Sequence, residues 1–190
     1  MAHEQEPIEE APEPYEMDEE TRARRAAALS QIVQYGDPVL RAKALPIEVF
    51  DDELRREVER MGHLMTDAIG IGLAATQLGR LRRLLVYRVE HDSPIIPLVN
   101  PVLEWSSKED ENGEEGCLSL PGVAVEVERP LHVRVRAQDA FGDETLIEAS
   151  GLEARVIQHE MDHLDGVLIL DRTTREQRKN AVRALRERVA

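Results

Sequence analysis

The sequence predicts an α+β protein with mixed or antiparallel β-sheets packed around a central HExxH-bearing helix, and with a further helix towards each end. Three observations predict it. Strand-like runs are grouped ahead of the HExxH segment instead of alternating with helices, which argues against a parallel βαβ repeat. Residues 152–163 place Leu152, Val156, His159 and His163 at i, i+4, i+7 and i+11, one face of a helix. Leu54, Val58, Met61, Met65 and Ala68 follow the same rule further upstream.

Taken in order, residues 1–18 are rich in Glu and Pro and poor in apolar groups, so they cannot bury enough surface to offset the entropy of ordering and read as a disordered acidic leader. Residues 19–30 combine helix formers with acids at the start, which suits a short helix. Gly36, Asp37 and Pro38 break the chain. Asp51 or Asp52 caps the amphipathic helix, which stops at Gly70. Short β-rich runs follow at RRLLVYRV, PIIPLVN and PVLEW, and the acidic residues 106–115 read as a loop. Strand-like segments resume at GCLSL, VAVEV, LHVRVRAQD and ETLIEAS, with Phe141, Gly142 and Asp143 turning a hairpin. Gly151 then releases the chain into the HExxH helix. After Gly166 comes the apolar run VLIL, and Thr173 with Glu176 forms a capping box for a basic final helix, 174–189, with Val182, Leu185 and Val189 on its apolar face. Residues 19–190 are expected to be a single catalytic domain.

Composition bounds the function. The net charge of −14 disfavours DNA or general nucleic-acid binding, yet nine acids and no Lys or Arg fall in the first 20 residues, leaving −5 for the rest. Residues 172–190 run the other way, with seven Lys or Arg against Glu176 and Glu187. There is no apolar run of membrane-spanning length and no basic signal or transit segment, so a cytoplasmic location and no membrane partner are expected. The lone cysteine, Cys117, has no partner for an intramolecular disulfide and must be an inert core thiol, a reactive thiol or a metal ligand.

QHEMDHLDG, residues 158–166, holds His159, Glu160 and His163 in HExxH spacing, which sets both imidazoles on one helical face and puts Glu160 where it can take the proton of a water the ion activates. Two His and a Glu also occur on helices by chance. A hydrolytic site needs a third ligand. Extension to the metzincin pattern fails, because Ile169 stands where the third His would be. Glu176 and Glu187 are the candidates for a downstream carboxylate, and both lie in the Arg-rich terminal segment. Upstream, Cys117 in EGCLSLPG offers a thiolate suited to borderline divalent ions, while a buried structural thiol is the plain alternative. GIGLAATQ, residues 70–77, matches a dinucleotide GxGxxA fingerprint, but it follows a helix where that fingerprint follows a strand. Glycines there suit close approach of an extended peptide, and Gln77 offers an amide donor.

Together GxGLAAxQ at 70–77, EGCLS at 115–119 and QHExDHLxG at 158–166, in this order, resemble the peptide deformylase family, and the likeness runs from about residue 29 to 172 with GDPVLR at 36–41. The resemblance implies removal of formyl groups from the N-terminal formyl-methionine of nascent bacterial proteins. It implies Cys117, His159 and His163 as metal ligands and Glu160 as general acid and base. Gln77 and the backbone N–H of Leu118 would stabilise the oxyanion, and Gly70, Ile71, Gly72, Leu73, Glu115 and Gly116 would line the substrate path. Many members carry Arg seven residues after the ligand Cys, where this chain has Ala124; the Arg twelve residues after it is present as Arg129. Arg155 stands where some relatives carry an aliphatic residue that walls the methionine pocket.

One S and two N ligands suit Zn²⁺, Ni²⁺, Co²⁺ and Fe²⁺ alike; the resemblance points to Fe²⁺ in cells, with zinc, nickel or cobalt as alternatives after purification. The competing readings are an HExxH zinc endopeptidase and a catalytically silent deformylase-like peptide-binding protein. Some bacterial deformylases dock on the ribosome through a C-terminal helix, which makes Arg175, Arg178, Lys179, Arg183 and Arg186 a candidate ribosome contact.

Overall fold

The computed structural model describes residues 17–189, and the side chains up to residue 187; the acidic leader falls, but for its last two residues, outside the described residues. Helix α1, Glu19–Leu29, begins where the Asp18 carboxylate accepts from Thr21 N at 2.8 Å. Helix α2, Asp52–Asp67, is capped by Asp51, whose carboxylate accepts from Leu54 N at 3.0 Å. Its Leu54, Met61 and Met65 are fully buried, as the apolar spacing requires.

Strands β1 (Gly72–Ala74), β2 (Leu84–Tyr87), β3 (Ile96–Ser106), β6 (His132–Gln138) and β7 (Glu144–Ser150) form one antiparallel sheet in the order β1-β2-β3-β6-β7. Strands β4 (Asp110–Cys117) and β5 (Leu120–Pro130) form a separate two-stranded ribbon. Helix α3, Leu152–Leu164, follows β7, and α4 (Ile169–Arg172) and α5 (Arg175–Val189) complete the chain. No helix among the described residues is long and apolar enough to cross a membrane.

The side chains of β2 alternate between two cores. Leu85 and Tyr87 pack with Leu98, Val135 and the α3 residues Ile157 and Leu164 on one face, while Leu84 and Val86 pack with α2 and Val99 on the other. Burial on both faces explains why Leu84–Tyr87 is apolar throughout instead of alternating with polar residues. A third core joins Val123, Val125 and Val127 of β5 to α4 and to Ala181 and Leu185 of α5.

Several local details differ from the sequence reading or add to it. Residues 106–115 are not a loop: all but their first four residues belong to β4, which pairs with β5 from Asp110↔Pro130 to Cys117↔Leu120. Asp110, Glu111 and Glu114 of this strand face solvent while Glu115 is buried, and the strand's order comes from the ladder to a valine-rich partner, a non-local cause that the acidic composition hides. PIIPLVN and PVLEW are one strand, β3, interrupted by register shifts against β6. Part of VLIL is the short helix α4. The cap of α5 is Thr174, whose hydroxyl accepts from Gln177 N at 3.3 Å, one residue later than the Thr173–Glu176 pair. On α3, Leu152 is 55% exposed and outside the core, whereas Val156 is buried; on α5, Ala181 and Leu185 make the buried stripe, Val182 is half-buried, and the Val189 side chain lies outside the described residues.

Candidate active site

Three elements converge on one cavity of about 390 Å³, whose walls include Gly70–Gly72 and Gln77 from the β1 region, Glu114–Leu118 from the end of β4, and Arg155, Val156, His159 and Glu160 from α3. Helix α3 starts at Gly151 and ends before Gly166, which has φ +73°; a Cβ at Gly166 would stand 2.5 Å from the Arg41 carbonyl oxygen, so both backbone sign and space call for glycine there. The helix holds His159 and His163 one turn apart, with ring centroids 5.0 Å apart. The β4–β5 turn brings Cys117 to them. Its Sγ lies 3.2 Å from His163 Nε2, and one donor atom each from Cys117, His159 and His163 falls within 4.8 Å of the others.

This donor set fits a divalent ion. One soft thiolate and two imidazoles converge from a strand end and one helical face, and spacing of this size is what ligand bonds of about 2.0 to 2.3 Å demand. Glu115 orients the first imidazole: its Oε2 lies 2.9 Å from His159 Nδ1, which leaves Nε2 for the donor set. Arg129 grips the same carboxylate with Nε at 2.6 Å and Nη2 at 2.9 Å, and Arg155 Nη1 adds a third donor at 2.9 Å. Arg129 is held in turn by Asp162 at 2.9 Å, itself on α3. Burial pushes the Glu115 carboxyl up, but the hydrogen bonds and charges of Arg129 and His159 outweigh it and hold it at about 2.

Glu160 has the opposite environment. Burial pushes its carboxyl up to about 7, assisted by the nearby Glu115 charge and opposed by His159 and Arg129. Its Oε2 and His163 Nδ1 are the two buried side-chain polar atoms without a partner among the described residues. A carboxyl titrating near neutrality, with a free oxygen at the cavity, is equipped to accept and return a proton. Burial pushes the His163 imidazole well down, so it is neutral and able to offer a lone pair.

Gln77 sits in a 3-10 turn, Ala75–Leu78, after β1. Its Oε1 accepts from Ala74 N at 2.9 Å, which fixes the amide orientation, and its Nε2 donates to Ser119 Oγ at 3.2 Å and faces Cys117 Sγ at 3.7 Å. Ser119 was not anticipated; the EGCLS string contains it, but nothing in the string says which way its hydroxyl points. Gly72 does more than clear a path for a peptide. A Cβ there would lie 2.4 Å from Glu160 Oε1 and 2.8 Å from its Cγ, so the glycine makes room for the α3 carboxylate.

Of the other expected substrate-path residues, Gly70, Ile71 and Gly116 line the cavity, whereas the Leu73 side chain is fully buried in the α2 core and is absent from the lining. Glu115 lines it too, but its carboxylate is engaged by Arg129, Arg155 and His159. Arg155 is buried at 8% exposure and binds the carbonyl oxygens of Val127 at 2.8 Å and Glu111 at 2.7 Å, so it laces α3 to both strands of the ribbon. Arg25 of α1 also reaches the lining and had no signal in any motif.

A thiol and two imidazoles that can hold a metal, beside a buried carboxyl in one cavity, fit a metal-dependent hydrolase of the HExxH type. Residues 29–179 match the polypeptide deformylase family model, and the chain belongs to that family. It is 48% identical over 152 residues to a peptide deformylase of Parafrankia sp., covering 80% of this chain and 82% of that one. It is 47% identical over 160 residues to one from Acidothermus cellulolyticus, covering 84% and 87%. Among solved structures, the peptide deformylase of Synechococcus elongatus in complex with actinonin superposes with a TM-score of 0.78 at 42% identity, covering 80% of this chain and 85% of that one. Arabidopsis thaliana peptide deformylase 1B in complex with an inhibitor gives 0.79 at 40% identity, covering 83% and 88%.

Proposed function

We propose that the chain is a peptide deformylase that hydrolyses the N-formyl group of N-terminal formyl-methionine on nascent proteins and releases formate. The observation that carries this is the meeting of Cys117, His159 and His163 within 4.8 Å, beside Glu160 and Gln77, in one cavity. Cys117, His159 and His163 would hold the metal. When bound, a divalent ion supplies Lewis-acid polarisation and makes water available as a nucleophile near neutral pH. Fe²⁺ is the expected ion in cells, since the resemblance points to it, and Zn²⁺, Ni²⁺ or Co²⁺ suit the same donors.

The remaining chemistry belongs to side chains and backbone. Glu160 takes a proton from the attacking water and delivers it to the departing amine, a shuttle suited to a carboxyl poised near 7. The Gln77 amide, locked by Ala74 and Ser119, and the backbone N–H of Leu118 donate to the oxygen on which negative charge develops. Glu115, clamped by two arginines, keeps the His159 ring in one tautomer. The peptide lies between the Gly70–Gly72 segment and the β4 end at Gly116, with α3 behind the reacting carbon. In this reading α3 is the central helix of the enzyme, and residues 19–190 are one cytoplasmic catalytic domain behind an acidic leader.

The test is a formate-release assay on formyl-Met-Ala-Ser after anaerobic purification, with elemental analysis of the same sample. Formate release supports a deformylase, whereas cleavage of internal amide bonds in an unformylated peptide would favour the endopeptidase reading. A finer part of the proposal concerns α5. Arg175, Arg178, Lys179, Arg183 and Arg186 are all exposed while Ala181 and Leu185 pack on β5, so the helix offers a basic face to the ribosome. Unchanged ribosome co-sedimentation at low salt after deletion of 175–190 would remove that part.

A further inference from the structure

Helix α1 precedes the residues matched by the family model, yet it reaches the active-site cavity through Arg25. The helix is anchored there by Ala28, which is buried in the core around α2. Arg25 is half-buried, and among the described residues its guanidinium takes part in no hydrogen bond and no ion pair. A half-buried cation without an acceptor gains from any anion that enters the cavity. The adjacent residue, Arg24, lines a second hollow of about 460 Å³ together with Arg88. That hollow and the active-site cavity share Ile69, Gly70 and Ile71, so the two are neighbours along this segment. Neither Arg24 nor Arg88 has a carboxylate partner among the described residues; Arg24 donates to Thr21 Oγ1 at 3.4 Å and Arg88 to Thr66 Oγ1 at 3.3 Å. Against these three guanidiniums the linings of the two hollows bring two carboxylates that pair with no cation among the described residues and lie apart from the reacting end, Glu114 and Asp67.

From this we propose that Arg25 is a specificity-determining residue that selects formyl-peptides carrying an acidic side chain downstream of the methionine, with Arg24 and Arg88 extending the same preference further along the peptide. The inference rests on the deformylase reading, because that reading fixes which end of the peptide reacts. With the formyl group at Cys117 and Glu160, the rest of the chain must leave the cavity, and the Ile69–Ile71 border carries it past α1. Arg25 is a cation and no part of the Cys117, His159 and His163 donor set, so it acts on the residues that trail behind. Electrostatic selection of this kind acts through binding and is weakened by salt.

The experiment measures kcat/KM by formate release for C-terminally amidated formyl-Met peptides, so that the tested side chain is the sole substrate anion, with Glu or Gln at the second, third or fourth position. In the full-length, metal-loaded enzyme at low salt, the Glu peptide should exceed the Gln peptide at one or more positions by about fivefold, the upper range for a partly exposed ion pair. The gain should reside in KM and shrink at 0.5 M salt. R25Q should bring the ratio at the nearest position to about one, and R25E should invert it, a reversal that mere loosening of α1 would not produce. R24Q/R88Q should lower the ratio only at positions further along. Formate release from the Gln peptides tests the deformylase reading separately; its absence overturns both. Formate release with a wild-type ratio of one at all positions, or a ratio untouched by R25Q, overturns the role of Arg25 and leaves the activity standing.

Discussion

Glu115→Gln removes one negative charge from the centre of a buried network, and the size of the effect can be worked out from its partners. Arg129, Arg155 and His159 all converge on that carboxylate at 2.6 to 2.9 Å, and the side chains of Glu115 and Arg129 are each only 5% exposed. A carboxyl held at about 2 instead of the ordinary 4.5 corresponds to about 3 kcal/mol at neutral pH. Stripping one partner from a buried ion pair typically costs about 3 to 5 kcal/mol, which agrees. In E115Q, Arg155 retains backbone carbonyls and the exposed Glu111 carboxylate at 3.8 Å as its remaining acceptors. Because the folded carboxyl is the more acidic, its contribution is complete above about pH 4.5 and is lost as the pH falls towards 2. Urea unfolding of the metal-free proteins at pH 7 should therefore show E115Q less stable by about 3 kcal/mol, a large part of the total of about 5 to 15 kcal/mol for an ordinary domain. The gap should narrow between pH 5 and pH 3. A loss below about 1 kcal/mol at pH 7, or a gap independent of pH, would refute the account of the network.

Gly72→Ala should displace the Glu160 carboxylate, since the new methyl would sit 2.4 Å from its Oε1; turnover should fall on the order of 100-fold with metal content retained, and wild-type kcat would contradict the packing argument. Gln77→Ala should lower kcat on the order of 100-fold or more, because removing one oxyanion donor costs about 2.7 to 4 kcal/mol; unchanged formate release would dismiss that role. Glu160→Ala should still bind metal by elemental analysis but release almost no formate. Cys117→Ala should lose or weaken the metal, and a fully loaded, active variant would end the assignment of Cys117 as a ligand.

Much of this site could be read from the chain because its chemistry is compressed into short strings. His159, Glu160 and His163 share one helical turn, and Cys117 and Leu118 are neighbours at a hairpin. What could not be read is pairwise and distant in sequence. Nothing in DENGEEGC says that it is a strand, because its order comes from β5 and from Arg155, whose guanidinium binds the Glu111 carbonyl 44 residues away. Likewise Gly72 looks like a substrate contact until Glu160, 88 residues on, is seen to fill the space in front of it. Leu73 sits inside the same motif, yet strand alternation turns its side chain into the α2 core. Arg25 belongs to no motif, so only the packing of α1 against α2 reveals where it stands.

Arg155 bears on how the β4–β5 ribbon is held against α3. The β4–β5 ribbon is a sheet of its own, so its position relative to α3 depends on the core it shares with α4 and α5 and on side chains that reach across to α3. Arg155 Nη1 reaches Glu115 and the Val127 carbonyl, and Nη2 reaches the Glu111 carbonyl, so one α3 side chain fastens both strands. Gly113 faces this guanidinium; a Cβ there would lie 2.9 Å from Arg155 Cζ, and the ribbon gives way at the point where the arginine passes. Cys117 lies at the end of the strand so fastened, while His159 is one helical turn beyond Arg155. The same cation therefore helps to hold thiol and imidazole in place, beside the Glu115–His159 and Arg129–Asp162 contacts. Arg155→Ala should loosen the donor set, read as lower metal content by elemental analysis, and full metal content in that variant would refute this role.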